Sequence, residues 1–259
     1  MVLTIDIGNS NIAFGIHTGE KIVEHWRLRT DASKTADEYR VLFRSLLSES
    51  SVPVGDVERV VVSSVVPALT TPLSRMISSL AGQKPLVVSR HLKNGLNPQA
   101  PIPGELGADL LANAVAANSL FDTHVIVIDF GTALTFTAVS RDGVILGVTI
   151  SPGLRASLEA LTSNTAQLLN VELLPPPNTL GQNTIHSIQS GVVLGYVSLV
   201  EGLVERMKRD IQRERPGDVT VIATGGMADS IAPLTEVFDE IRPWHTLDGL
   251  RIIADLNPA

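Results

Sequence analysis

Residues 5–11 read IDIGNSN and residues 128–136 read IDFGTALTF. Each stretch closes an apolar, β-branched run, Val2–Ile7 and Val125–Asp129, that breaks into a polar turn containing glycine. Such a run is a buried strand, and Gly8-Asn9-Ser10 or Gly131-Thr132 is the turn that ends it. Asp6 and Asp129 stand 123 positions apart, close to half of the 259 residues. The sequel also matches. Ile12–Ile16 and Lys21–Trp26 follow the first turn. Leu134–Val139 and Val144–Ile150 follow the second, joined by the hairpin signal Asp142-Gly143. The echo predicts an α/β chain of two similar lobes, residues 1–118 and 119–259.

Between these strand clusters the pattern changes to helical. Thr35 with Glu38 three residues on forms a capping box, and Tyr39, Leu42, Phe43, Leu46 and Leu47 follow at helical spacing. Arg59–Ser63 and Pro85–Val88 read as strands. Residues 94–104, NGLNPQAPIPG, form an irregular loop, and Ala108–Leu120 an alanine-rich helix. In the second half, Pro175-Pro176-Pro177 is a stiff connector. A long helix runs from Thr184 to Ile211, apolar at Ile188, Val192, Leu199, Leu203, Met207 and Ile211. A second stripe, Gly191, Gly195, Ser198 and Gly202, is small. It fits either tight internal packing or a subunit interface. Val219–Ala223 is a strand entering Thr224-Gly225-Gly226, and the apolar run Leu250–Ile253 lies near the end.

Composition narrows the function. With 20 Lys+Arg against 27 Asp+Glu, the net charge is -7, and no basic tract marks a nucleic-acid binder. Hydrophobic residues are 44% but aromatics only 4%, so the core is aliphatic. The absence of cysteine excludes disulfide scaffolds, zinc knuckles, iron–sulfur sites and thiol catalysis. No apolar run reaches the roughly 20 residues a bilayer requires, and the first residues lack the basic region of a signal peptide. The expectation is a cytoplasmic protein with no membrane or nucleic-acid partner. The six histidines show no paired spacing of a transition-metal site.

The strand–Asp–x–Gly turns suggest phosphate chemistry. Glycine lets backbone N–H groups approach a phosphate closely, Asn, Ser and Thr add donors, and an Asp at a strand end can hold Mg²⁺. Two such turns, with Thr224-Gly225-Gly226 after a third strand, predict a nucleotide cleft between the lobes. Neither GxxxxGK[ST] nor GxGxxG occurs, so P-loop and Rossmann readings lack their fingerprint. Taken singly, Asp109 reads as a first-turn carboxylate, Asp129 as a strand-end turn residue and Thr184 as a helix N-cap.

The order of these segments resembles the acetate kinase, sugar kinase, heat-shock and actin ATPase superfamily, whose lobes have the actin-like, ribonuclease H-like fold. Within it the chain closely resembles type III pantothenate kinases over nearly its whole length. The matching segments are IDIGNSN (5–11), TADEY (35–39), SSVVPAL (63–69), GAD (107–109), IDFGTALTF (128–136), SPG (151–153), GQNTIHSIQSG (181–191), ATGG (223–226) and LDGLRI (247–252). The resemblance implies transfer of the ATP γ-phosphate to pantothenate, the first step of coenzyme A synthesis, by a homodimer. It implies that Asp6, Ile7, Gly8, Asn9, Ser10, Asn11, Ile12 and Ala13 meet the ATP phosphates, with Asp6 also at Mg²⁺. Gly131, Thr132, Gly225 and Gly226 are further ATP contacts. Asp109 is the general base, and Asp129 holds a monovalent cation, K⁺ or NH₄⁺. Ala100, Gly107, Ala108, Asp109, Leu110 and Thr184 occupy the pantothenate positions. A helix dipole at the start of Ala108–Leu120 is expected to favour the ionised form of Asp109.

Several positions depart from the family pattern. Its Gly-x-Asp-Arg is Gly107-Ala108-Asp109-Leu110, its Tyr is Ala100, its Gly-Gly before SPG is Gly147-Val148, and a Pro is replaced by Leu169-Asn170. Losing an Arg that meets a carboxylate removes a charge-assisted contact. Three readings follow: a pantothenate kinase whose acceptor contacts come from elsewhere, Arg155 or a partner subunit for example; a kinase of the same fold for another small alcohol; or a catalytically weak ATP-binding regulator. Retention of Asp6, Asp109, Asp129, Thr132 and Thr184 favours the first. On that reading, Leu110→Arg is expected to lower the KM for pantothenate.

Overall fold

The computed structural model describes residues 1–100, 102, 104, 106–163 and 171–258. Leu169-Asn170 lies outside the described residues. The chain forms two compact units, Met1–Leu120 together with His245–Ala259, and Phe121–Trp244.

The first unit runs β1 (Val2–Ile7), β2 (Asn11–Thr18), β3 (Lys21–Arg29), α1 (Ala36–Glu49), β4 (Arg59–Ser64), α2 (Pro67–Ala81), β5 (Leu86–Val87) and α3 (Ala108–Leu120). Its sheet has the order β3-β2-β1-β4-β5. Tight turns permit the antiparallel β1-β2-β3 meander, whereas the parallel pairing of β4 to β1 and β5 to β4 needs the crossovers through α1 and α2. Leu3, Ile5, Ile7, Phe14, Ile16, Val60 and Val62 share a core with Tyr39 and Phe43 of α1 and Leu69, Leu73, Met76 and Ile77 of α2. Each such aliphatic side chain contributes roughly 1.5–3 kcal/mol when fully buried. The capping box at Thr35 and Glu38 is present on both sides.

The second unit contains β6 (His124–Phe130), β7 (Ala133–Val139), β8 (Ile145–Pro152), α4 (Leu154–Ser163), α5 (Thr184–Gln189), α6 (Gly195–Glu214), β9 (Val219–Thr224), α7 (Ala228–Ile231) and β10 (Glu240–Ile241). Its sheet order, β10-β9-β6-β7-β8, repeats that of the first unit strand for strand. Even the irregularity is repeated: the β2–β3 pairing shifts between Ile16 and His17, and the β7–β8 pairing between Ala138 and Val139. Gly143 takes a positive φ of 77° in the hairpin turn joining β7 to β8.

The closing helix α8 (His245–Leu256) returns to the first unit, although the sequence division leaves it with the second lobe. Three contacts explain its destination. A Cβ on Gly249 would run into the carbonyl oxygen of Ala112, so α3 and α8 pack backbone to backbone there. The hydroxyl of Thr246 donates to Asn113 Oδ1 at 2.8 Å, and His245 Nε2 lies 3.1 Å from the Asn113 carbonyl oxygen. Arg59 donates to the Ala254 carbonyl and to Asp255 Oδ1, each at 2.6 Å. The alanines of α3 are therefore a packing surface, buried from Leu110 through Ala117.

The long helix of the second unit is one helical run, Thr184–Glu214, with a π turn at Ser190–Leu194. Its N-cap is Asn183, whose Oδ1 accepts the His186 N–H at 2.9 Å, not Thr184. Ile188, Val192, Val193, Tyr196, Val197, Val200, Val204 and Ile211 pack into the core with Ile126, Ile128, Phe130 and Phe136. Of the small stripe, Gly191, Gly195 and Ser198 are exposed, and a Cβ on Gly191, Gly195 or Gly202 would meet nothing within 4 Å. Internal packing therefore does not explain these residues. The sequence reading finds no segment fit to cross a bilayer. By length and apolarity Thr184–Glu214 meets that test, but one face of it is built into the core of this unit.

Candidate active site

Asp6 is the penultimate residue of β1, in register with Ala13 of β2 and Ser63 of β4. The turn after it is closed by the Gly8 N–H, which donates to the Asn11 carbonyl at 3.0 Å, and a Cβ on Gly8 would stand 3.0 Å from that oxygen. The Thr30 hydroxyl donates to the Gly8 carbonyl at 2.7 Å, and the Thr30 N–H to the Ser10 carbonyl at 2.9 Å. These bonds fix the backbone of residues 8–10 while leaving Asn9, Ser10 and Asn11 exposed. The hydroxyl of Ser63 is fully buried and has no hydrogen-bond partner among the described residues. The Asp6 carboxylate and the Ser63 hydroxyl, in register on neighbouring strands, form an all-oxygen donor set. Mg²⁺ accepts such a set, because it needs only one or two carboxylates when phosphates supply the rest.

Asp109 is the second residue of α3. Its Oδ1 accepts the Leu110 N–H at 2.7 Å. Gly107 makes the conformation possible: a Cβ there would collide with Asp109 Oδ1 and lie 3.5 Å from Val65 Cγ1, just beyond β4. The carboxyl is thus folded into the turn before the helix. Burial raises its pKa above the usual carboxylate value, and the backbone hydrogen bonds of Leu110 and Asp109 only partly oppose this. The dipole argument predicts the opposite sign. Desolvation wins because the carboxyl is largely shielded from water. Leu110 beside it is 9 % exposed and packed. An Arg at this place would bring its guanidinium into a buried position, so the expected gain from Leu110→Arg does not follow from the geometry.

Asp129 is where three turns of the second unit meet. It is in register with Thr224 at the end of β9. Gly225 follows with φ +91°, a conformation that suits glycine, and a Cβ there would collide with Asp129 Oδ1 and stand 2.6 Å from the Phe130 nitrogen. A Cβ on Gly131 would lie 3.6 Å from the same Oδ1. Gly153 completes the group: its N–H donates to the Thr132 carbonyl at 3.0 Å, and a Cβ would press on the Thr132 and Gly131 carbonyl oxygens. The carboxylate is thus set among close-packed backbone with carbonyl oxygens nearby, hard oxygen donors that suit K⁺. The Thr132 side chain and Gly226 are exposed. Among the described residues no group of three or more His, Asp or Glu side chains is placed to hold a metal ion.

The remaining predicted positions belong to both units. Thr184 is exposed at the first turn of α5, and Arg155 is exposed on α4, both in the second unit. Ala100 lies in the first unit, lining a cavity of about 520 Å³ built by the loop after β5. Gly153 and Gly249 carry roles that the sequence reading does not assign. Gly153 belongs to the SPG segment. Gly249 had no local signal, because the group that excludes a Cβ is Ala112, far away in sequence.

A family model described as type III pantothenate kinase matches residues 2–206. A type III pantothenate kinase from an Exiguobacterium species is 43% identical over 257 residues, 99% of each chain. One from Moorella thermoacetica is 41% identical over 257 residues, 99% of this chain and 100% of that one. Among solved structures, a Baf family protein from Campylobacter jejuni superposes with a TM-score of 0.61 at 17% identity, covering 98% of this chain and 97% of that one. Component A of the (R)-2-hydroxyglutaryl-CoA dehydratase of Acidaminococcus fermentans gives 0.53 at 16% identity over 98% and 96%. At these identities the structures speak to the fold, which is the two-lobed actin-like ATPase fold.

Proposed function

This chain belongs to the type III pantothenate kinase family, and from that premise we propose a residue-level account of how it phosphorylates pantothenate with ATP. It is a phosphotransferase with an alcohol acceptor, and its product is 4'-phosphopantothenate, at the first step of coenzyme A synthesis. The observation that carries the account is the Asp109 carboxyl, held by the Leu110 N–H and shifted upward by burial.

In phosphoryl transfer the protein contributes positioning and charge neutralisation. Asp109 Oδ1 is held by the backbone, so Oδ2 is the oxygen that takes the proton of the attacking hydroxyl. Its raised pKa brings the base nearer to working pH, where proton transfer is most effective. On this account the exposed turn residues 8–11 are phosphate contacts of the first unit, and Thr132, Gly225 and Gly226 are the ATP contacts of the second. Asp6 would hold Mg²⁺, and Asp129 the monovalent cation. Bound metal ions supply neutralisation of the developing phosphate charge.

The open face of α6 supports a homodimer. Beside the exposed Gly191, Gly195 and Ser198, the second unit exposes Ile150 (65 %) and Leu180 (84 %), more apolar surface than an isolated surface residue would explain. The cytoplasm is the compartment that a metabolic kinase without cysteine fits.

Coupled ADP release with Mg²⁺ and K⁺, comparing pantothenate with a panel of other alcohols, tests the reading. Pantothenate-dependent turnover is the expected result. Turnover on a different alcohol alone would favour the second acceptor reading, for which the buried Leu110 and small Ala100 are the motivating observations. ATP binding with no turnover on any alcohol would favour a regulator.

A further inference from the structure

The geometry points to Arg90 and Lys93 as the residues that bind the carboxylate of the acceptor, in place of the Arg that is Leu110 here; this rests on the pantothenate reading above. The loop after β5 lines the cavity of about 520 Å³ with Arg90, His91, Lys93, Asn94, Asn97 and Ala100, and no acidic side chain lines it among the described residues. Arg90 and Lys93 form no ion pair among the described residues, whereas the nearby carboxylate Asp255 is occupied by Arg59 and Arg251. Two basic side chains with no acidic neighbour in the cavity lining among the described residues form a site for an anion.

The loop is held in shape rather than merely exposed. Asn118 of α3 donates to the Gly95 carbonyl at 3.0 Å. Asn257, just past α8, donates to the Lys93 carbonyl at 2.7 Å and accepts the Lys93 N–H at 3.2 Å. Asn94 Oδ1 accepts the Leu96 N–H, and Asn97 Oδ1 the Gln99 N–H, each at 3.0 Å. Such bonds fix the backbone on both sides of the basic residues.

The distance to the base is also suitable. A Cβ on Gly104 would stand 2.9 Å from Arg90 Nη1, so the guanidinium lies against the segment leading into α3. Gly107, against which Asp109 Oδ1 is folded, is three residues further, at most about 10 Å along the chain. Pantothenate separates its reacting hydroxyl from its carboxylate by eight bonds, also on the order of 10 Å when extended. A molecule with its hydroxyl at Asp109 thus reaches the Arg90 side with its acid end.

The test compares pantothenate with pantothenol, in which an uncharged CH₂OH replaces the carboxylate, on the full-length protein. The variants are Arg90→Gln, Lys93→Gln, the double variant, and Arg155→Gln for the other basic residue considered. Calorimetric binding and KM are both measured. The expected result is a rise in Kd and KM for pantothenate on the order of ten- to a hundred-fold in the double variant, with pantothenol little affected and kcat retained. An equal change for both acceptors, no change for pantothenate, or an effect confined to Arg155→Gln would overturn the assignment. If the wild type binds pantothenate without turning it over and the double variant loses that binding, the kinase reading fails while the anion site stands. If the wild type does not bind pantothenate at millimolar concentration, the site proposal is overturned.

Discussion

The two units share one topology and differ in what they attach to it. Both have a meander of three antiparallel strands with two parallel strands on the far side, and both have a pairing shift at matching places. In the first unit the turn after the Asp-bearing strand spans Gly8-Asn9-Ser10; in the second it is only Gly131-Thr132. The helix after the fifth strand diverges further. In the first unit it is α3, with Asp109 at its second position. In the second it is α8, whose second residue is Thr246, bonded to Asn113, and which has crossed to pack on α3. Both units carry a strand-end aspartate, but only one of the two helices has a carboxylate at its second position. On the proposed account the base is therefore one-sided on a two-sided scaffold.

The largest effect is expected at that asymmetry. Asp109→Asn keeps the shape and removes the base, so kcat should fall by about 10²–10⁴-fold while ATP binding is retained. The pH dependence should agree. A base must be ionised, so activity rises with pH through its pKa, and the raised pKa of Asp109 places that rise above the ordinary aspartate value. A kcat–pH profile with its acidic limb at or below pH 4 would contradict this.

A smaller effect follows from the contact that brings α8 home. Gly249→Ala puts a methyl group into the Ala112 carbonyl and should destabilise the chain by roughly 1–3 kcal/mol. Gly191→Ala, where a Cβ meets nothing, should be neutral or slightly stabilising in thermal unfolding. Equal midpoints for the two variants would remove the close approach from the account.

A comparable effect concerns acid. After the pairing shift the first unit has His17, where the second has Val139. His17 is fully buried, its Nε2 lies 3.1 Å from Thr4 Oγ1, and its pKa is lowered to about 4, first by burial and then by Arg251, against Asp255. The folded pKa is below the unfolded one, so the unfolded chain takes up the proton first as pH falls. Stability is full above about pH 6.5 and is lost on the way down to about pH 4, by about 3 kcal/mol. Urea titrations of the wild type and His17→Phe across that range check it, and the same slope in both would contradict it.

The smallest effect on the single chain is expected from Gly195→Leu. A Cβ there meets nothing within 4 Å in the protomer, so unfolding should change little while light scattering shows monomer instead of dimer. A dimer that survives this substitution places the interface elsewhere.

Much of this was legible in the residues because it is local. The apolar runs at Val2–Ile7 and His124–Phe130, the capping box of Thr35 and Glu38, and the turn at Asp142-Gly143 each depend on neighbours in the chain. What was not legible depends on distant partners. Nothing near Gly249 announces Ala112, nothing near Asp109 announces that its carboxyl is partly shielded from water, and the open face of Gly195 is known only once the sheet covers the other face. The sequence reading sees no basic tract at Arg90 and Lys93, because their cavity depends on a loop that Asn118 and Asn257 bind from distant positions in the chain.

The most direct measurement follows the phosphate itself. With ATP labelled on its γ-phosphate, label should appear on pantothenate in the wild type and fall by at least a hundred-fold in rate in Asp109→Asn, with ATP still bound. Label released only as inorganic phosphate, or transferred to pantothenate by Asp109→Asn at an undiminished rate, would contradict the account.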